Sequence, residues 1–436
     1  MPAVPLHNVH VIIFNRWRDK YADYLAYLDH DSCKVTYVTT EIGRSAVPDE
    51  AAEILVLDDV TDYDAVRAAI DPAVTRHGTP EAVIALQEGD LAVASRLRAE
   101  FGSRGRRPEE LHHFLDKEAM LEAARRTGVA TPISELVVSH GELENFAAEN
   151  GWPIIVKRLQ GRASTGIQRL DGPADIAGLT IDAADPVVVQ EYLPHRVCHV
   201  DGIHTGQDLG PWRLSAYENV PDSATTGPLA FMMGEPVGSV EIDDAAANAA
   251  VEKFLRVVIP GMSSKPWVFH LELFLSKAAD GYDCVFLEVG CRPGGGDIPF
   301  VWREVHGIDL MELEFHLQCD VLPRLRPFQA DEPVGGCLLV PLSGPRPCRI
   351  AAANSMVGIP GPYAEVLPEV GSVVPDLRGT YEFIGGRFRY RGESTAEVTR
   401  QILGTAADYE VRLEPVEEAA PVASNSQVAS ASPVGS

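Results

Sequence analysis

His270-Leu-Glu272-Leu-Phe274 and, beyond a turn at Asp280-Gly281, Val285-Phe-Leu-Glu288-Val-Gly-Cys-Arg292-Pro-Gly-Gly-Gly296 are the two runs whose reading decides the fold. Both are short, apolar-rich and bounded by turn residues, the pattern of paired strands. Pairing them sets Glu272 beside Glu288, with Arg292 four residues past the second. Two neighbouring carboxylates repel unless a cation stands between them. A hard divalent ion that binds oxygen and can still carry nucleotide phosphates is the usual answer, so the pair predicts one or two Mg²⁺ ions and a nucleotide. Taken singly, each glutamate reads more readily as a solvated face residue.

Upstream, Asp116 caps a helix running to Arg126 that begins with Lys117, and Gly128 and Pro132 end it. Then come Ile154-Ile-Val-Lys157, the loop Arg158 to Thr165, Gly166-Ile-Gln-Arg-Leu170 and Val187-Val-Val-Gln190-Glu191-Tyr-Leu193. This is strand, glycine-bearing loop, strand, strand. The loop lacks the Lys-Ser/Thr that closes a Walker A sequence, so its glycines are read as a flap rather than a P-loop. Before all this, residues 9–14, 34–39, 53–57 and 82–86 read as strands and Tyr21 to Leu28, Tyr63 to Ile70 and Asp90 to Phe101 as helices, an alternation that predicts a small parallel sheet. Asn15-Arg-Trp-Arg18 follows the first strand without glycines, which argues against a dinucleotide there. Past residue 325 short strands with Gly and Pro turns predict a small β-rich domain, with a helix at Ser394 to Leu403. Glu417 to Ser436, rich in Ala, Ser, Val and Pro, reads as disordered.

In this order and spacing, Asp116-Lys117-Glu-Ala-Met120, Thr127-Gly-Val-Ala-Thr-Pro132, Pro153-Ile-Ile-Val-Lys157, Gln190-Glu-Tyr-Leu-Pro194 and Leu287-Glu288 through Gly296 resemble the ATP-grasp superfamily over roughly residues 80 to 320. Within it the chain is most similar to carboxylate-amine ligases of the L-amino-acid (dipeptide) ligase type. The fold class this implies is a multidomain α/β and α+β protein. Residues 1–110 would form an N-terminal small parallel α/β sheet, 111–190 the first part of a central ATP-grasp fold of two α+β subdomains, and 191–325 its second part with the metal site. A small β-rich C-terminal domain at 326–415 and a tail at 416–436 complete it.

The resemblance also implies roles. ATP lies between the subdomains, Lys117 and Lys157 neutralise its phosphates, and backbone N–H groups of Ala163, Ser164 and Thr165 cover them. Gln190, Glu191 and Leu193 meet the adenine, the last two through the Glu191 carbonyl and the Leu193 N–H. Glu272 and Glu288 hold Mg²⁺, Arg292 acts on the transferring phosphoryl group, and His270, Gly294 and Gly295 approach the substrate. Two departures stand out: Val197 where an acidic ribose ligand is usual, and Gly290 where many relatives carry Asn. The implied substrates are small carboxylates and amines, amino acids among them, joined as an amide through an acyl phosphate, and relatives suggest a homodimer. A biotin-carboxylase-like or purine-pathway chemistry and a non-catalytic nucleotide-binding module remain as alternatives.

Composition sets the outer limits. The chain has 436 residues, enough for two to four domains, and a formal charge of −26, which argues against nucleic acid and anionic membranes as partners. Seven cysteines at 33, 198, 284, 291, 319, 337 and 348 include no CxxC pair, which suggests neither a disulfide framework nor a zinc site and points to the cytoplasm. No apolar run is long enough to span a membrane and the first residues lack an export leader.

Overall fold

A computed structural model describes residues 6–159, 166–219, 227–326, 328, 332–358, 360–375 and 384–416. The loop residues 163–165 and the tail from 417 onward, both singled out by the sequence, lie outside these.

β1 (His10–Asn15), β2 (Lys34–Thr39), β3 (Glu53–Val56) and β4 (Pro80–Ala85) form a parallel sheet in the order β3-β2-β1-β4. Every residue of β1 is buried, as a central parallel strand requires. The order reverses between β1 and β4, so the crevice at their carboxyl ends, beside Asn15 and Glu88, is where such a sheet meets ligands. Two helices differ from the reading of the sequence. The one expected from Tyr21 to Leu28 is a single turn, Tyr24–Tyr27, because both tyrosines are drawn in to pack on Phe315 and Tyr24 also on Tyr37, and Leu28 is already extended. The one expected to stop at Ile70 runs Tyr63–His77 straight through Pro72.

Helices Pro108–Leu115 and Lys117–Arg126 follow, the second capped by Asp116, whose carboxylate accepts the Ala119 N–H at 2.9 Å. Next come β5 (Ser134–Val137), β6 (Ile154–Arg158), β7 (Gln168–Leu170) and β8 (Val187–Glu191), an antiparallel sheet ordered β5-β8-β6-β7. Helix His140–Asn150 closes it through Leu143, Phe146 and Ala147, which meet Val137, Val156 and Val189.

The body of the molecule is a larger sheet. β9 (Arg196–His204), β10 (Leu209–Asn219), β11 (Val237–Glu241), β12 (Trp267–Ala278), β13 (Gly281–Gly290) and β14 (Val334–Pro341) belong to it. β15 (Cys348–Ala353), β16 (Ala364–Val366), β17 (Val373–Val374), β18 (Ile384–Gly392) and β19 (Val411–Pro415) divide, with β16 and β18 extending the large sheet and β15, β17 and β19 forming a small one. Among the described residues the large sheet is eight-stranded, in the order β13-β12-β9-β10-β11-β14-β18-β16. The β-rich C-terminal stretch thus contributes three strands to the central sheet.

Strand alternation divides that sheet into two unlike faces. Cys198, Val200, Leu214, Ala216, Leu271 and Leu273 point one way and pack on Val251, Leu255 and Val258 of helix Ala245–Met262. Their neighbours in sequence, His199, Asp201, Ser215, Tyr217, His270 and Glu272, take the other. Most of these polar groups are buried, so the face they share is lined by other protein rather than open to bulk water.

Candidate active site

The hairpin quoted at the outset exists as read. Glu272 of β12 stands directly opposite Glu288 of β13, with a register shift just past Glu272, and β12 pairs on its other edge with β9, placing His270 opposite Asp201 and Glu272 opposite His199. Facing the glutamates across a narrow cleft are two lysines from different elements. Lys117 starts its helix and Lys157 lies near the end of β6; together with Met120, Leu121, Val188, Gln190, Leu287 and Glu288 they line one cavity.

Distances and charges fit a site built for an anion and a cation together. Lys117 Nζ lies 3.2 Å from Glu288 Oε2. Burial draws Lys117 down, but the Glu288 carboxylate outweighs it and the ammonium is held above its ordinary value. Lys157 has no such contact: burial brings it down to about 8, only partly opposed by Glu288 and reinforced by the charge of Lys117. Burial pushes Glu288 up, yet Lys117 and Lys157 bring it down to about 2. Glu272 moves the opposite way, raised by burial and then by the charge of Glu288. The lysines thus hold one carboxylate ionised while its charge makes the neighbour harder to ionise, as two close carboxylates competing for the same counter-charge do. A divalent ion fits this donor set. An anionic polyphosphate fits the other wall, where Lys157 is buried and Gln190 Nε2, also buried, has no hydrogen-bond partner among the described residues.

The remaining expectations are placed as follows. Arg292 is within electrostatic reach of Glu288, but its ion pair is with Glu88, at 2.6 Å. That ion pair reaches back to the N-terminal sheet. His270 Nδ1 lies 2.9 Å from Asp201 Oδ1 and Nε2 lies 3.8 Å from Glu272 Oε1. Burial lowers its imidazole, and the Asp201 carboxylate more than restores it. Gly294 abuts this pair so closely that a Cβ there would fall 2.3 Å from Asp201 Oδ1 and 3.0 Å from His270 Nδ1, so only glycine fits. Gly295 faces open space. Glu191 and Leu193 sit at the end of β8 and just beyond it; the Glu191 carboxylate accepts the Ile133 N–H at 2.8 Å, which fixes the strand end. Val197 is buried, its side chain next to Gly227, so no acidic group stands there.

Sequence reasoning missed Asp201, His199, Ser239 and Glu88. Asp201 joins two imidazoles, accepting His199 Nδ1 at 2.7 Å as well as His270, and is held well below the usual carboxylate range: burial opposes this, but the two histidines prevail. His199 Nε2 in turn meets Ser239 Oγ at 2.6 Å, and Tyr217 donates its hydroxyl to Glu272 Oε1 at 2.7 Å. The signal was present in Cys198-His-Val-Asp201, whose alternate polar residues sit on a strand, but nothing local says that this strand adjoins Glu272. Glu88 carried no signal at all.

Compared with solved structures, the chain is similar to an L-amino acid ligase from Bacillus licheniformis, with TM-score 0.70 at 14% identity, over 94% of this chain and 100% of that one. It is similar also to a phosphoribosylglycinamide synthetase from Anaerococcus prevotii, with TM-score 0.63 at 15% identity over 93% and 100%. A third is the biotin carboxylase domain of the Hydrogenobacter thermophilus 2-oxoglutarate carboxylase, solved with MgADP, ADP and bicarbonate, with TM-score 0.62 at 14% identity over 93% and 90%. The fold is the ATP-grasp fold. No family model matches the sequence, and no curated protein matches it either. At such identities the ATP-grasp likeness speaks for architecture, and the chemistry must be argued from the residues. No helix among the described residues is long and apolar enough to cross a membrane.

Proposed function

We propose that this protein is an ATP-dependent carboxylate-amine ligase that joins amino-acid substrates as an amide through an acyl phosphate, releasing ADP and phosphate. The observation that carries this is the facing of Lys117 and Lys157 against Glu288 in one cavity, with Glu272 paired beside Glu288 and Arg292 within electrostatic reach of it. The likeness to an L-amino acid ligase over nearly the whole of both chains supports it.

In this reading each residue has a task its surroundings suit. Lys117 and Lys157 take the phosphate oxygens; a polyphosphate restores to Lys157 the counter-charge that burial denies it. Gln190 offers its free amide to the nucleotide. Glu272 and Glu288 would hold Mg²⁺, which when bound screens the charge on the phosphates and orients them for in-line transfer. Tyr217 holds the Glu272 carboxylate by a hydrogen bond at Oε1, with His270 Nε2 3.8 Å from the same oxygen. Arg292, with a guanidinium that cannot lose its proton, steadies charge on the transferring phosphoryl group and on the acyl phosphate. A carboxylate is a poor acylating agent, so phosphorylation comes first and the amine then displaces phosphate. Positioning and fixed charge do most of this, and no nucleophilic Ser or Cys is required. The cysteines agree: Cys198, Cys284, Cys291, Cys319 and Cys337 are all raised by burial, away from thiolate.

Biotin-carboxylase-like and purine-pathway chemistries share the fold, and a screen separates them. MgATP is supplied with amino-acid pairs, or with bicarbonate, while phosphate release and product mass are read. The expected result is ADP, phosphate and a mass equal to two amino acids less water for at least one pair. Phosphate release with bicarbonate but with no pair would replace the amide-forming reading by carboxylation, and nucleotide binding without ADP formation would leave only a binding module.

A further inference from the structure

Among the described residues Arg292 uses three of its five donors. Nε and Nη2 both donate to Glu88 Oε2, at 2.9 and 2.6 Å, and Nη1 donates to the Pro293 carbonyl at 3.0 Å. A guanidinium carries five N–H donors in a rigid plane, so these three bonds leave one on each terminal nitrogen. Those two remaining donors are available to a carboxylate or phosphoryl group. Gly290 contributes no side chain beneath: a Cβ there would stand 3.3 to 3.5 Å from Arg292 Cγ, Nε and Cζ, so the arginine lies against the strand end.

Glu88 is well mounted for such a task. It opens helix Glu88–Phe101 directly after β4, at the carboxyl edge of the N-terminal sheet where the strand order reverses. β4 is itself held: the Ala85 N–H and carbonyl both bond the Gln318 amide, at 2.9 and 2.7 Å, and two residues past Glu88 the Asp90 carboxylate pairs with Arg16 at 2.9 Å. The N-terminal sheet therefore reaches the cleft through one carboxylate, and that carboxylate lands on Arg292.

The geometry points to Glu88 as the positioning residue for Arg292, a side chain of the N-terminal sheet that turns the two remaining guanidinium donors toward the carboxyl group being phosphorylated. This rests on the ligase reading for its kinetic consequence, though not for the contact itself. A latch that merely withholds Arg292 would occupy both donors of each terminal nitrogen; here each terminal nitrogen keeps one.

The test uses the full chain and the variants Glu88→Ala and Glu88→Gln. With MgATP and a mixture of the common amino acids, Glu88→Ala is expected to lower kcat for phosphate release about 10- to 100-fold, the scale of a misplaced catalytic group, with KM for ATP within about twofold. Glu88→Gln keeps an acceptor oxygen and recovers part of the loss. In protein carrying nitrogen-labelled arginine, the Arg292 Nε–H resonance, assigned by its absence in Arg292→Ala, is protected from exchange in the wild type and loses protection in Glu88→Ala. Unchanged kcat, a faster Glu88→Ala enzyme as a latch would give, or a resonance still protected in Glu88→Ala overturns the proposal. If the wild type releases no phosphate with any amino acid, the ligase reading fails on its own and the resonance alone decides the role of Glu88.

Discussion

Glu288→Gln is expected to lower ATP-dependent phosphate release at least about a hundredfold while the protein stays folded. Of the two opposed glutamates Glu288 is the more strongly ionised, held at about 2 by Lys117 and Lys157 against the cost of burial. It is also the carboxylate in direct contact with Lys117. An amide at this position removes the negative charge a divalent ion needs and leaves Glu272 as the only carboxylate of the opposed pair. Even losing a group that merely supports a metal ligand costs 10- to 100-fold, so losing the ligand itself sets a floor near the upper figure. The fold pays less. Glu288 is partly open to solvent, so Lys117 can be hydrated when its partner becomes neutral, and the unfolding midpoint should move by no more than about 5 °C. Phosphate release at fixed MgATP, read beside thermal unfolding, checks both halves. A wild-type rate in Glu288→Gln would remove the metal assignment.

The second large effect belongs to Arg292. Arg292→Ala is expected to lower turnover about 10²- to 10³-fold, the range for removing one preorganised donor from a developing charge. The affinity for MgADP should change little, because the lysines and glutamates that face the nucleotide are untouched. That division separates a residue acting on the transferring group from one that holds the nucleotide. Calorimetric titration with MgADP beside turnover of the pair chosen by the screen would measure it. Equal losses in both would make Arg292 part of nucleotide binding instead, and unchanged turnover would remove it from the mechanism.

Why the sequence revealed some of this and hid the rest is a matter of range. β2 spans the residues read for it, and Asp116 caps its helix, since alternation, capping and breaker residues act over a few positions. The Glu272 and Glu288 pairing was legible for the same reason: one turn joins their strands. The helix read as Tyr63 to Ile70 continues through Pro72 to His77, packing overriding local preference. Tyr24 shows the reverse, a helical pattern cut to one turn by aromatic contacts with Phe315, far off in sequence. Asp201 lay half in view, since its strand could be read but not its neighbour. Glu88 was out of reach, 204 residues from Arg292 and joined to it only by the strand order of the N-terminal sheet. The lysines fall between: the resemblance supplied their role, and the fold supplied their position opposite the glutamates.

The claim beneath all of this is that Lys117, Lys157, Glu272 and Glu288 enclose a single metal-nucleotide site. A crystal structure grown with ADP and Mn²⁺ in place of Mg²⁺ tests it most directly, because manganese scatters anomalously and marks its own place. The account predicts an anomalous peak between the carboxylates of Glu272 and Glu288, with the ADP phosphates against Lys117 and Lys157. Manganese and nucleotide bound away from these four side chains would contradict it.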